Sequence, residues 1–322
     1  MMSRRDVLAA AAAGLTTAPV TAGPILRADD PGFSAVVDPG AQLRTLYAGG
    51  RWCEGPCFAP ALGGLVFSDV RSNRMLVLGE DGEARTFRDP SNNANGNTLD
   101  AQGRLVTCEH RGRRVVRREA DGGLTVLADS YAGKSLNSPN DAALGPDGAI
   151  WFTDPIYGIT VPDEGIMAEP AQSARRVYRI APSGGIAAMT EALDQPNGIA
   201  FSPDGRTLYV SDTGAALKNP EGARAIYAFA VTAGPLPAPR VFATLEAGVA
   251  DGLAVDEAGR VYAACVDGVR VFGSSGAPLG RIATATAAAN VAFGGPDGRR
   301  LFVCAGPAVH AIDLQVRGAR FA

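Results

Sequence analysis

The sequence predicts an all-β chain folded as a six-bladed β-propeller, and three observations carry that expectation. Past the opening residues, helical periodicity gives way to short runs rich in Val, Ile, Phe and Tyr, broken by Gly, Asp-Gly or Pro-Asp-Gly. One segment recurs: Asn140-Asp-Ala-Ala-Leu-Gly-Pro-Asp-Gly148 has the layout of Asn197-Gly-Ile-Ala-Phe-Ser-Pro-Asp-Gly205, and Asp251–Gly259, Asn290–Gly298 and Asn95–Gly103 repeat it. Glu54-Gly-Pro-Cys-Phe-Ala-Pro, with its Gly63-Gly64 turn, is a looser sixth copy. Finally, the copies start 41, 45, 57, 54 and 39 residues apart, which is room for about four strands each, the unit of a propeller blade.

Composition agrees with a packed fold. Hydrophobic residues make up 46% and charged residues 20% of the 322, with Gly 40 and Pro 22, so disordered, collagenous and coiled-coil chains are excluded. A formal charge of −3 and a pI near 5.5 supply no basic stripe for a nucleic-acid partner. His110 and His310 are the two histidines, so any metal is expected to be held mainly by oxygen, not by a His-rich zinc motif.

Taken in order, Arg4-Arg5 before a short Ala-rich stretch and Thr21-Ala22-Gly23 reads as a twin-arginine signal peptide over residues 1–22. The expectation is a chain exported to the periplasm by the twin-arginine translocase, with no membrane anchor, because the stretch is too short and too Ala-rich. Residues 23–34 read as a flexible N-terminal segment and 35–322 as the propeller. The sixth copy ends near the C-terminus, so a strand within Ala35–Ala48, around Leu43–Tyr47, is expected to complete the last blade. Cys53, Cys57, Cys108, Cys265 and Cys304 make an odd count; Cys53 and Cys57 are poorly spaced for a disulfide, and most read as small buried hydrophobes, with any pairing left open.

In a propeller the innermost strands converge on one axis. The repeated head position holds Glu54, Asn95, Asn140, Asn197, Asp251 and Asn290, every one bearing a side-chain oxygen. Six such groups in one channel are costly to bury without a partner, and a cation satisfies them together. An oxygen set with two carboxylates suits Ca²⁺ first, then Mg²⁺ or Mn²⁺, with Zn²⁺ also open. Turn capping explains a single Asn-Gly; it does not explain Glu54 in the same register.

Glu54-Gly-Pro, Ser138-Pro-Asn-Asp141, Pro196-Asn-Gly-Ile199 and Ala250-Asp-Gly-Leu253-Ala-Val-Asp256 resemble the gluconolactonase/regucalcin (senescence marker protein) family of metal-dependent lactonases. Asn95–Asp100, Cys108-Glu-His110 and Phe152–Gly158 look like its bacterial gluconolactonase branch. The resemblance, from about Gly49 to Gly295, implies a propeller with one catalytic divalent cation held by Glu54, Asn197 and Asp251, with Asn140 as fourth ligand or substrate contact. It implies hydrolysis of a sugar lactone such as glucono-1,5-lactone, in which the metal polarises the carbonyl and Asp251, as ligand, base or both, assists water. Ser138 departs from the animal regucalcins, which carry Arg there, so sugar recognition must come from another residue or the substrate differs.

Further candidates follow. Asn140 would orient the carbonyl; His110 would act as acid/base or sugar contact; Asn95, Glu109, Tyr157 and Asn290 are substrate-facing candidates. The stretch Gly158–Ala174, with Pro162, Gly165 and Pro170, reads as a lid or rim loop. Asp69, Asp154 and Asp212 read as turn-forming, and His310 as a peripheral strand residue. No G-x-S-x-G elbow supports Ser-His-Asp catalysis. Two alternatives stand beside the lactonase: the same site acting on another lactone or an organophosphate, and a non-catalytic ligand-binding propeller.

Overall fold

The computed structural model describes residues 25–217 and 219–319. Six antiparallel sheets form the blades, each winding outward from its innermost strand. Blade one is Cys53–Ala59, Gly64–Asp69, Arg74–Leu78 and Ala84–Arg88; blade two is Ala94–Leu99, Leu105–Glu109, Arg114–Arg118 and Leu124–Ala128. Blade three is Ala142–Leu144, Ile150–Asp154, Arg176–Ile180 and Ile186–Thr190; blade four is Pro196–Phe201, Thr207–Asp212, Ala225–Ala230 and Arg240–Thr244. Blade five is Ala250–Val255, Val261–Cys265, Gly268–Phe272 and Pro278–Ile282. Blade six is Ala288–Gly294, Arg300–Ala305 and Ala308–Asp313, completed by Arg44–Ala48. That outer strand pairs antiparallel with the C-terminal one, Arg44 opposite Ala311 and Ala48 opposite Ala308, as the repeat count requires.

The core lies between neighbouring blades. Trp151 meets Phe201 edge-on at 5.5 Å between blades three and four, Tyr262 meets Phe293 at 5.0 Å between five and six, and Phe58 stacks on Phe302 at 5.9 Å where the first blade closes on the last. Each pair buries large apolar faces and adds the aromatic preference for tilted or offset contact. All five cysteines are free and buried; burial pushes the Cys57 and Cys265 thiols up to about 12, which makes them inert fillers.

One boundary is corrected. From residue 25 on, the segment expected to be flexible is packed on the propeller: Leu26–Ala28 adds a fifth strand to blade five, Leu26 opposite Ile282, and the 3-10 turn Pro31–Ala35 buries Phe33 against that blade. The edge left by Pro278–Ile282 is thus covered, which is how the chain manages an otherwise open sheet edge. The expected signal peptide lies outside the described residues. Among the described residues no helix is long and apolar enough to cross a membrane.

Candidate metal centre of the channel

Five of the six innermost strands, all but that of blade three, carry an irregularity beside the repeated polar residue. The pairing register shifts between Glu54 and Cys57, Ala94 and Asn97, Pro196 and Ile199, Ala250 and Leu253, and Ala288 and Asn290. A bulge of this kind re-aims a side chain out of the sheet's regular alternation, and here it does so at the polar heads. Hydroxyls of second strands then fix three of the heads from the neighbouring blade. Ser68 Oγ donates to the Asn95 carbonyl (2.7 Å), Thr153 Oγ1 to that of Asn197 (2.7 Å) and Ser211 Oγ to that of Asp251 (2.8 Å).

The residue after each head decides how closely the strands approach. Gly55 sits at φ +49°, and a Cβ there would stand 2.1 Å from the Asn95 carbonyl oxygen; a Cβ on Gly252 would stand 2.1 Å from Asn290 Oδ1. Glycine fills this position in four blades, whereas blade three carries Asp141 and blade six Val291. Asp141 takes the space that Gly96 leaves, and its Oδ2 accepts from Asn290 Nδ2 at 3.4 Å, a contact between opposite blades across the axis.

The six heads come together in the channel. Glu54 is 4% exposed and Asn95, Asn140, Asn197 and Asn290 are each 5% exposed, with Asp251 the most open of the six. Burial first, then the charges of Asp251 and Asp141, push the Glu54 carboxyl well above its ordinary range, although the Gly55 N–H partly opposes this. Asp251 is raised in the same way, by burial and then by Asp141 and Glu164, while the Asn197 side chain hydrogen-bonds it in the opposing sense. Burial raises Asp141 to about 7. Among the described residues none of these three acids forms an ion pair with Lys or Arg. Buried carboxylates that repel one another and lack a basic partner fit a divalent cation held by oxygen. Glu54, Asn140, Asn197 and Asp251 have the donor chemistry to hold it.

The segment between the second and third strands of blade three covers one side of this ring. Its short helix Tyr157–Thr160 places the Tyr157 hydroxyl as donor to Thr213 Oγ1 at 2.6 Å, close enough to Asp251 for that charge to raise the phenol further. Glu164 is buried and paired with Arg71 of blade one at 2.8 Å; Arg71 in turn lies over the Trp52 ring at 4.7 Å. Arg51 and Asp163 (3.0 Å) add a second tie to blade one. His110 is fully buried beneath this segment, its Nδ1 3.1 Å from the Glu164 carbonyl and its Nε2 3.1 Å from Asn95 Nδ2 and 3.3 Å from Asn140 Nδ2. Burial lowers its pKa to about 4, so the ring is neutral near pH 7.

Two expected substrate contacts need revision. Glu109 points into the protein, its carboxylate clasped by Arg88 (3.0 Å) and Arg114 (2.7 Å). The reason is positional: paired with Ala94, it is the blade-two counterpart of Asp69 and Asp212, which pair with Cys53 and Pro196, and it shares their structural task. Asn290 is committed at both ends, Oδ1 accepting from Val291 N (2.8 Å) and Nδ2 donating to Asp141. His310 lies in the last strand beside Thr45 at 3.0 Å, away from the ring. Sequence reasoning missed Asp141, Glu164 and Arg71. The break in the glycine column would have exposed Asp141; Glu164 and Arg71 carry no repeat signal.

Fold and site together define a six-bladed propeller enzyme scaffold with an oxygen-lined axial channel whose donor chemistry fits a cation. The chain belongs to the SMP-30/Gluconolactonase/LRE-like family, whose model matches residues 52–306. A gluconolactonase from Zymomonas mobilis is 29% identical over 85% of this chain and 82% of its own length. The solved structure of a gluconolactonase from Xanthomonas campestris is 41% identical, covers 92% of this chain and 96% of its own, and superposes with a TM-score of 0.84. A calcium-binding regucalcin from Agrobacterium tumefaciens shares the fold at 22% identity, with 86% and 95% coverage and a TM-score of 0.69.

Proposed function

We propose that this chain is a divalent-metal-dependent lactone hydrolase that opens an aldono-lactone such as glucono-1,5-lactone. The observation that carries the reading is the trio of channel carboxylates, Glu54 and Asp141 buried and Asp251 partly open, that have no basic partner among the described residues, in a member of the gluconolactonase family. Glu54, Asn140, Asn197 and Asp251 would hold the cation, Ca²⁺ first among Mg²⁺, Mn²⁺ and Zn²⁺. When bound, the ion supplies Lewis acidity towards the lactone carbonyl and lowers the pKa of water.

The protein groups do the rest. Asp251, kept in orientation by its hydrogen bond from Asn197, accepts the proton of the attacking water at its carboxylate. Asn140, as a side-chain oxygen, completes the ligand set or accepts from a lactone hydroxyl, and Asn95 and Tyr157 offer polar contacts beside it. Arg71 and Glu164, paired where the covering segment meets blade one, are the polar pair we assign to sugar hydroxyls. Arg4-Arg5 and the Ala-rich stretch after them support export to the periplasm, which cell fractionation with an intact and an Arg4→Lys, Arg5→Lys chain would test.

Proton release from glucono-1,5-lactone above the spontaneous rate tests the activity. It is followed as isolated, after EDTA, and after return of each of the four ions. Metal-restored turnover that disappears in Asp251→Ala is the expected result. Metal binding without turnover would move the substrate to another lactone or a phosphoester, and neither binding nor turnover would leave a ligand-binding propeller.

A further inference from the structure

His110 is the one channel histidine, and its surroundings specify its proton. Nδ1 faces the Glu164 main-chain carbonyl at 3.1 Å, and a carbonyl oxygen only accepts, so Nδ1 carries the hydrogen. The groups facing Nε2 at 3.1 and 3.3 Å do so through amide nitrogens, which only donate, so Nε2 is the lone pair that accepts from them. Those groups are the side-chain amides of Asn95 and Asn140. A carboxamide whose nitrogen is taken has its oxygen turned the other way. Among the described residues, no protein donor engages Oδ1 of Asn95 or of Asn140.

We propose that His110 is a positioning residue: under the Glu164 carbonyl it accepts from Asn95 and Asn140 together, so that both present oxygen, and not N–H, to the cation and the lactone. The covering segment of blade three thereby sets the polarity of two heads contributed by blades two and three. This rests on the metal-lactonase reading above, and it replaces the acid/base role with an orienting one. A ring held as sole acceptor of two amides has no nitrogen free to carry a proton to or from substrate.

The test uses the full chain, uniformly ¹⁵N-labelled, in which two histidines give a simple long-range ¹H–¹⁵N spectrum. The expected result is one ring with a protonated Nδ1 and an unprotonated Nε2 at neutral pH, removed in the His110→Gln spectrum. A proton on Nε2 of that ring would overturn the proposal. In parallel, Ca²⁺, Mg²⁺ and Mn²⁺ are titrated calorimetrically into wild type, His110→Ala and His110→Gln, and lactone turnover is followed. Loss of an outer hydrogen-bond partner of a metal ligand weakens binding by about 10–100-fold, the loss expected for Ala; Gln, which returns an acceptor oxygen near Nε2, should recover most of it. Gln and Ala equally inactive with metal affinity intact in both would make His110 a proton carrier and overturn the proposal. If wild type binds metal but opens no lactone, the substrate reading fails while the titrations still judge the relay. If it binds none, the ring spectrum alone judges it.

Discussion

This propeller carries two sets of inward acids, one along the channel and one at the ends of second strands, and they are treated in opposite ways. Asp69, Asp154 and Asp212 close the second strands of their blades, and the protein supplies their donors. Asp69 accepts from the main-chain N–H groups of Arg51 and Trp52, Asp154 from those of Asn137 and Ser138, and Asp212 from those of Asp194, Gln195 and Gly214. Glu109 does the same task with Arg88 and Arg114. In the channel, Glu54 accepts one main-chain N–H and faces Asp141 and Asp251. The difference lies in the donors and not in the acids: where the chain completes a carboxylate's partners, the acid holds strands together, and where it does not, as at Glu54, the acid keeps the chemistry to hold a cation.

The contrast breaks most sharply at Asp251. Asp251→Asn should lower lactone turnover by roughly 10³-fold or more while the melting temperature stays equal or rises, read by pH-stat kinetics and calorimetry side by side. Turnover within tenfold of wild type would remove Asp251 from the chemistry. Next, Glu54→Gln should weaken divalent binding by about 10²-fold and raise the metal-free melting temperature by a few degrees, because an unpartnered buried acid is neutralised. The outer set should answer in the opposite sense: Asp212→Ala strands three main-chain N–H groups and should cost roughly 2–4 kcal/mol in urea unfolding, with metal affinity kept in the folded fraction.

A subtler effect belongs to Asp141. Its carboxyl is raised to about 7 in the folded chain against about 3.9 in an unfolded one, so the folded state binds more protons between those values. Its contribution therefore destabilises the metal-free protein progressively as pH rises from about 4 to 7 and is absent below that window. The metal-free melting temperature of Asp141→Asn should fall less across this range than that of wild type; parallel curves would show that Asp141 does not titrate between these values. The smallest effect is expected from Glu109→Gln, which should lose stability through Arg88 and Arg114 while the lactone KM stays within about twofold.

Much of this was legible in the residues. The heads repeat at one register because the ring repeats, so aligning turn glycines located Glu54, Asn95, Asn140, Asn197, Asp251 and Asn290, and Arg44–Ala48 had to close the last blade. The same periodicity held the answer for Glu109, since counting back from Asp69, Asp154 and Asp212 gives its position. Asp141 was legible too, as the acid that interrupts a column of glycines. Glu164 and Arg71 were not, because they come from a connection and a turn that no other blade repeats; only three-dimensional proximity joins them. The pairing of Leu26–Ala28 with blade five was hidden for a related reason: three residues carry too little pattern to announce a strand.

The closure of blade six has a bearing on how the protein comes into being. Arg44 and Asp313, bonded across the outer and third strands of that blade, lie 269 positions apart in the chain. During synthesis the strand made near the beginning must wait without its mate until nearly the whole polypeptide has emerged, a long-range pairing of the kind that slows folding. Glu54 stands in the first blade and Asp251 in the fifth, so every intermediate short of a closed circle has its acids dispersed. A cation that needs both Glu54 and Asp251 would thus meet a closed ring, since neither the first nor the last three blades carry both.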